Sequence, residues 1–281
     1  KIYGRDFVDL RYRRNINPFL SIATDWSWSD RTELFNQSDF KLIDRKHIED
    51  YTPNQPVTET LTETSFPNHQ ALIGSVGIAA RPWLKFRIRN GSKRAIDSSS
   101  PTITLDYRKG FDNLLGSDVD FDQLELGVKH EFRLGVKGTL DLWLRGGKFL
   151  HNRDMYFMDY KHFPGNQTPF STTDPVGGFR LLDYYRFSTH DKYFTANVHY
   201  HFRKFLVTTI PVVRLAGIRE NVFVNYLATP VSQNYTELGY SIDGIFRMFR
   251  LEAAAAFRDG KYVRSGFRVG IATNIAGNFS D

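Results

Sequence analysis

Residues 121–145 read FDQLELGVKHEFRLGVKGTLDLWLR. In the first arm Leu124, Leu126, Val128, Phe132 and Leu134 fall on one face. Gln123, Glu125, Lys129, Glu131 and Arg133 fall on the other, and His130 is the one polar residue among the apolar positions. In the second arm Leu140, Leu142 and Leu144 oppose Thr139, Asp141, Trp143 and Arg145, and Gly135 to Gly138 supply the turn. Successive side chains of a strand point to opposite faces, so a period of two held over both arms is a β-hairpin. One of its faces is apolar and the other charged. What the apolar face meets decides the architecture.

The same rhythm recurs along the chain. Val8, Leu10 and Tyr12 alternate with Asp9, Arg11 and Arg13. Leu20, Ile22, Trp26 and Trp28 oppose Ser21, Ala23, Asp25, Ser27 and Ser29, and Leu84, Phe86 and Ile88 oppose Lys85, Arg87 and Arg89. Ile103, Leu105 and Tyr107 form another apolar row, as do Phe194, Ala196, Val198, Tyr200 and Phe202. Further strands are read at Leu181–Ser188, Asn221–Ala228, Glu237–Ile245, Arg250–Phe257 and Phe267–Ile271. This gives about thirteen strands of roughly ten residues, the length that crosses a bilayer at barrel tilt. No apolar period of 3.6 residues is sustained anywhere.

Composition narrows the classes. The 281 residues contain no cysteine, so no disulfide framework is available. The net charge of +6 is scattered, with Lys and Arg alternating with Asp and Glu inside strands. A nucleic-acid surface would gather its cations on one patch. No run of 18 apolar residues exists, which excludes a transmembrane helix and leaves a transmembrane barrel open.

The connections differ in kind. Arg31–Asn68 is long and polar, unusual inside a compact soluble domain but ordinary on the extracellular side of an outer-membrane barrel. Asn90–Pro101 is a second polar loop, while Asn15–Pro18 and Arg81-Pro82 are short turns. Trp26, Trp28, Tyr107 and Tyr226 stand near strand ends, where a membrane interface favours aromatics. The expectation is an all-β, antiparallel transmembrane β-barrel of about 12–16 strands, one domain over residues 1–281, in the bacterial outer membrane. Its long loops are expected to be extracellular and its short turns periplasmic.

Gly146–Arg180 is the least regular stretch. It is expected either to hide a strand within Lys148–Phe157 or to fold into the lumen, and counting strands backward puts it on the periplasmic side. The candidate lumenal loop is Asp159, Tyr160, Lys161, His162, Phe163, Pro164, Gly165, Asn166, Gln167 and Thr168. Its prolines cannot donate ladder bonds and its glycine permits a tight reversal. Its polar side chains could meet a charged inner wall, for example Arg145, Lys129 and Arg203.

Catalytic and metal signals are weak. His199 and His201 share a strand face, but no third ligand is spaced to join them. Asp118, Asp120 and Asp122 alternate without the glycine and terminal glutamate of a calcium loop. Ser188, His190 and Asp191 are adjacent in sequence, yet neighbouring strand residues face opposite ways, so they read as no triad. No metal, no cofactor and no enzyme activity is expected.

Three runs are more specific: GSDVDFDQLELGV at Gly116–Val128, DYKHFPGNQT at Asp159–Thr168 and HFRKFLVTTIPVVRLAGIRE at His201–Glu220. Together they resemble a family of Bacteroidota outer-membrane barrels of unknown function, often found behind a carboxypeptidase-like regulatory domain. The likeness runs from about Phe7 to Asn274. It implies that the barrel is the C-terminal part of a longer protein, with a region preceding Lys1. That regulatory domain is a β-sandwich and no peptidase, so the resemblance implies no catalysis. The family is distantly similar to BamA-like insertase barrels, whose lumen-loop arginine motif has no clear copy here. The expected role is a non-enzymatic scaffold or partner subunit of a cell-envelope complex; the alternatives are a channel, a transport or BamA-like assembly barrel, and last an outer-membrane enzyme. The expected partners are outer-membrane lipid, lipopolysaccharide and other envelope proteins, with no nucleic acid.

Overall fold

The computed structural model describes residues 2–35, 54–61, 64–89, 91–96, 99–165, 170–171 and 177–271. Its strands are β1 (Tyr3–Asn17), β2 (Leu20–Glu33), β3 (His69–Ala80), β4 (Lys85–Arg89), β5 (Ser92–Ile96), β6 (Thr102–Gly110) and β7 (Asp120–Arg133). They continue with β8 (Gly138–Asp154), β9 (Phe170–Ser171), β10 (Lys192–Phe202), β11 (Arg219–Ala228), β12 (Tyr235–Ile245), β13 (Phe249–Arg258) and β14 (Lys261–Ile271). Among the described residues the one α-helix, α1 (Pro211–Leu215), is a single short turn. No described helix is long and apolar enough to cross a membrane.

Twelve strands form one sheet in the order β1-β2-β3-β6-β7-β8-β10-β11-β12-β13-β14-β9. Neighbours pair antiparallel except the two-residue β9, which lies parallel to β14. Among the described residues β1 and β14 do not pair with each other. The hairpin read from residues 121–145 is present: Val128 faces Leu144, and Phe132 faces Leu140. A 3-10 turn at Gly135–Lys137 joins its arms. The alternation that defines it is carried into β10, where Val198 faces Leu142 and His199 faces Asp141.

The sheet is strongly curled. One apolar cluster contains Ala71 of β3, Phe121 of β7, Tyr193 of β10, Leu227 of β11 and Ala256 of β13. Laid flat, β3 to β13 in this order span seven interstrand steps, about 34 Å at strand spacing. Those side chains share a core because the sheet wraps around residues of the β8–β10 connection, among them Phe163, Phe179, Leu182 and Phe187.

Burial is inverted relative to a water-soluble sheet. On the convex face Leu126 is 52% exposed and Phe267 85%. On the concave face Glu237 is 0% exposed and Glu252 4%. Leu, Val, Ile and Ala predominate on the convex face, with Tyr226 toward one end, Phe132, Tyr200 and Phe249 toward the other, and Trp26 and Phe267 at mid-strand. The concave face is not polar throughout, since Phe121, Phe223 and Leu227 also point inward.

Three expectations are corrected. Trp83–Arg89 is not a strand of the main sheet; only Lys85–Arg89 is extended, and it pairs with β5 in a separate two-stranded hairpin. The whole of 81–101 is therefore one connection between β3 and β6, at the same end as the β1–β2 turn. Asn90–Pro101 accordingly lies opposite, not beside, the long connection after β2. Leu181–Ser188 is not a strand either but a series of bends against the concave face. Its buried apolar residues Leu181, Leu182 and Phe187 join the enclosed cluster, while Tyr185 packs on Phe157 and His162 of the same connection. Finally, β8 runs on to Asp154, so part of the expected extra strand is an extension of the hairpin arm. Among the described residues eleven long antiparallel strands then remain beside the two-residue β9, so the count of long strands stays odd, and the remaining connection emerges at the same end as the long one after β2, not with the short turns.

The turn glycines of the hairpin are separable by test. Both adopt positive φ, +62° at Gly135 and +132° at Gly138. A Cβ at Gly135 meets open space, whereas one at Gly138 overlaps the carbonyl oxygen of His201. Gly135→Ala is expected to cost about 1–2 kcal/mol from conformation alone. Gly138→Ala adds overpacking and is expected to cost about 2–5 kcal/mol, read as a larger fall in thermal midpoint.

Candidate functional site

The concave face of the sheet and the connection that fills it form the site. The connection leaves β8 at Asp154 and re-enters the sheet at Lys192. It opens with a 3-10 turn at Phe157–Asp159, in which the Asp159 carboxylate accepts from the backbone N–H of Tyr156. A helical turn exposes its first amide donors, and an acidic side chain folded back onto them satisfies the local chain.

Asp159 is also where the connection is fixed to the wall. Its two carboxylate oxygens each lie 2.9 Å from Nη1 of Arg31 on β2. Arg108 on β6 donates to the Asp159 carbonyl at 2.9 Å and reaches the carboxylate at 3.5 Å. His69 stacks on Tyr156 with ring centres 3.6 Å apart. Two residues on, Lys161 pairs with Glu125 of β7, which also accepts from the Tyr193 hydroxyl at 2.5 Å. The backbone of Lys161 bridges Thr189, closing the connection on itself.

The second half is fixed by a mirror arrangement of charges. Glu237 of β12 accepts from the backbone N–H groups of Arg180 at 2.6 Å and Leu181 at 2.8 Å. It also accepts from the Tyr235 hydroxyl at 2.8 Å. The Arg180 guanidinium pairs with Glu252 of β13 at 3.3 Å and lies over the Phe223 ring. Asp183 accepts from Arg264 of β14 at 2.6 Å and from Arg186 at 3.2 Å. Glu59, from the connection after β2, joins in by accepting from Arg186 and from Arg258 of β13. Burial pushes the Glu59 carboxyl up, but its two guanidinium partners outweigh this and hold it below the usual range. These ties reach strands from β2 to β14.

The expected loop residues divide. Asp159 and Lys161 do meet the charged wall, but on Arg31, Arg108 and Glu125, not on Arg145, Lys129 or Arg203. Arg145 and Lys129 instead lie over the Trp143 ring. Tyr160 is buried and stacks on His190. Phe163 is buried against Tyr193. Pro164 accepts from the Phe179 N–H, and a Cβ at Gly165 would overlap the Leu182 carbonyl, so only glycine fits that close approach. Asn166, Gln167 and Thr168 lie outside the described residues. Arg108 was legible as a charged position on its strand's polar face, whereas Arg31, assigned to the loop after β2, proves to lie on the strand itself. Nothing local names their partner 50 or more residues away.

The weaker chemical candidates do not assemble. His199 and His201 stack with centres 4.4 Å apart. His201 is held between Asn221 at 2.7 Å and Asp141 at 2.9 Å. Among the described residues no group of three or more potential ligands could hold a metal ion. Asp118, Asp120 and Asp122 are each taken by separate partners: the Gln70 N–H, His151, and Tyr107 with Lys109. Ser188 meets His162 at 2.8 Å, while Asp191 accepts from the Phe149 N–H through its carbonyl, and among the described residues no carboxylate hydrogen-bonds to His162. That pair is part of the packing of the connection.

A family model described as the C-terminal domain of a family of unknown function (DUF5686) matches residues 1–242, from β1 into β12. No curated protein matches the chain.

Two outcomes follow for the docked connection. Asp159→Ala leaves the buried Arg31 guanidinium without its carboxylate, and such a loss costs about 3–5 kcal/mol. Limited proteolysis should then cut within 155–191, where the parent chain resists. His162 is half-buried, and the loss of solvation pushes its imidazole down to about 4. Undocked, it titrates near 6.5. The docked state therefore keeps its full stability above about pH 6.5 and loses it as pH falls toward 4. Protease sensitivity of the connection should rise over that window, and His162→Gln should flatten the rise.

Proposed function

The chain belongs to the family of the DUF5686 C-terminal domain, whose function is unknown, and from that premise we propose that it is an outer-membrane β-barrel closed to free passage by its own β8–β10 connection. The observation that carries the reading is the inverted burial. A sheet with Leu126 and Phe267 exposed outside and Glu237 and Glu252 buried inside is unstable in water as it stands. In a bilayer the same sheet satisfies both faces, since lipid covers the leucines and every backbone polar group between paired strands is bonded within the sheet. Aromatics toward both ends of the convex face support the same reading, as girdles at the two interfaces.

The lumen argues about role. Porins leave an aqueous channel at larger strand numbers, whereas here ion pairs fasten a segment of the chain across the concave face. This favours a non-enzymatic scaffold or partner subunit of a cell-envelope complex over an open pore. Its neighbours would be outer-membrane lipid, lipopolysaccharide and other envelope proteins. The resemblance to Bacteroidota barrels with a preceding carboxypeptidase-like regulatory domain fits a barrel that anchors something else. A second reading, a transport or BamA-like assembly barrel, draws on the same connection, because a fastened segment can be released. The two differ in what opens the lumen.

Reconstitution tests both parts. Leu142→Arg, at the middle of the convex face, should cost about 2–4 kcal/mol in lipid. Ser75→Arg, on the concave face opposite Asp25, should cost less. In planar bilayers the parent chain should pass little current, and deletion of residues 160–168 should raise it. Equal tolerance of both arginines would refute the membrane assignment. Unchanged conductance after the deletion would refute the plug.

A further inference from the structure

The two ends of the sheet differ in charge, and one connection at the short-turn end is folded onto the outside. Residues 203–219 read RKFLVTTIPVVRLAGIR, with four basic residues and no acidic one. The 81–94 connection at the same end reads RPWLKFRIRNGSKR, with six basic and no acidic residues. The topology brings these two stretches, distant in sequence, to one rim. The opposite end is mixed, with Asp30, Asp112, Asp118, Asp120, Asp154 and Asp183 among cations such as Arg31, Arg153, Arg186 and Arg258.

Glu220 determines where the 203–219 stretch lies. It stands at the start of β11 opposite Ile242, on the convex parity, yet it is fully buried. It accepts from the backbone N–H groups of Leu206 at 3.2 Å, Val207 at 3.0 Å and Thr208 at 2.8 Å. The hydroxyls of Thr208 and Tyr240 also donate to it. Phe205 stacks on Phe202 with centres 4.2 Å apart and lies near Tyr240. The base of the connection is thus fastened to the convex face and continues its apolar band. Beyond this base, Val212 is 75% exposed and Leu215 84%, with Leu206 and Ile210 also exposed. Arg203, Lys204, Arg214 and Arg219 are exposed among them.

We propose that residues 203–219, with the basic residues Lys85, Arg87, Lys93 and Arg94 of β4 and β5 farther along the same rim, form an interfacial anchor that binds the phosphate groups of anionic phospholipids at the bilayer edge. This rests on the membrane reading above and deepens it. Exposed aliphatic residues continuous with a lipid-covered face, interspersed with cations in a stretch that itself contains no acidic residue, match the apolar and anionic layers of a leaflet in turn. A protein partner would instead need a shaped, polar-rimmed surface. Glu220 has a positioning role: its bonds to the Leu206–Thr208 amides keep the stretch against the sheet.

The absence of cysteine allows single-label reporting in the full chain. Val212→Cys and, separately, Leu142→Cys are labelled with an environment-sensitive fluorophore and reconstituted in phosphatidylethanolamine membranes. Each contains a small fraction of brominated phosphatidylglycerol or brominated phosphatidylcholine. The proposal expects both labels to be quenched, with Val212 quenched at least twofold more by the anionic lipid and Leu142 equally by both. Replacing Arg203, Lys204 and Arg214 together by Gln should remove the preference at Val212 and leave Leu142 unchanged. Glu220→Gln should weaken quenching at Val212 by either lipid. Quenching at Leu142 with none at Val212 overturns the anchor while sparing the barrel. Equal quenching of Val212 by the two lipids overturns the anionic selectivity. No quenching at either site overturns the membrane reading beneath both.

Discussion

Asp159 lies fully buried between guanidinium groups from β2 and β6, and much of the interior depends on that contact. A curled sheet with charges on its concave face has a problem of desolvation. An ion removed from water without a partner costs several kcal/mol. Here the partners come from the chain itself. Asp159 answers Arg31 and Arg108, Lys161 answers Glu125, and Arg180 answers Glu252. The apolar residues between these contacts, Phe163, Phe179, Leu182 and Phe187, then fill the space that the ion pairs enclose. The charges give the connection its register and the aromatics give it its core.

The convex face follows from the same arrangement. With polar groups and a small core taken inside, the leucines and valines of β7, β8, β10 and β12 are left outside. A soluble sheet covers such a face with a second layer, and no second layer is present among the described residues. Lipid is the cover that fits a band of aliphatic residues bounded by aromatics at both ends. The short-turn rim extends this logic, since Glu220 folds an apolar, basic stretch onto the outside of the sheet.

Much of this was legible from alternation, because strand parity is a local property. The 121–145 hairpin shows both its faces in the sequence, and so do β1, β2, β6 and β10. Errors arose where alternation came from something else. Trp83–Arg89 alternates as cleanly as any strand, yet it belongs to a separate hairpin, and misplacing it reversed the side assigned to Asn90–Pro101. Leu181–Ser188 has the composition of a strand because Leu181, Leu182 and Phe187 belong to the enclosed core, not to a ladder. The lumenal run was recognisable from Pro164, Gly165 and its mixed charges. Its partners were not, since the pairing of Asp159 with Arg31 spans 128 residues and depends on curvature, which no local pattern encodes. Arg180, Glu237 and Glu252 were missed for the same reason.

The central claim is that the convex face is the lipid face and the concave face is sheltered. The most direct test is a spin-label scan along β10, one site at a time from Tyr193 to Phe202, in reconstituted membranes. The account predicts a period of two: oxygen collisions should peak at 194, 196, 198 and 200, and labels at the alternate positions should be shielded from both oxygen and a water-soluble nickel complex. Nickel accessibility at 194, 196, 198 and 200, with oxygen showing no excess there, would mean that the leucine-rich face meets water and would contradict the account.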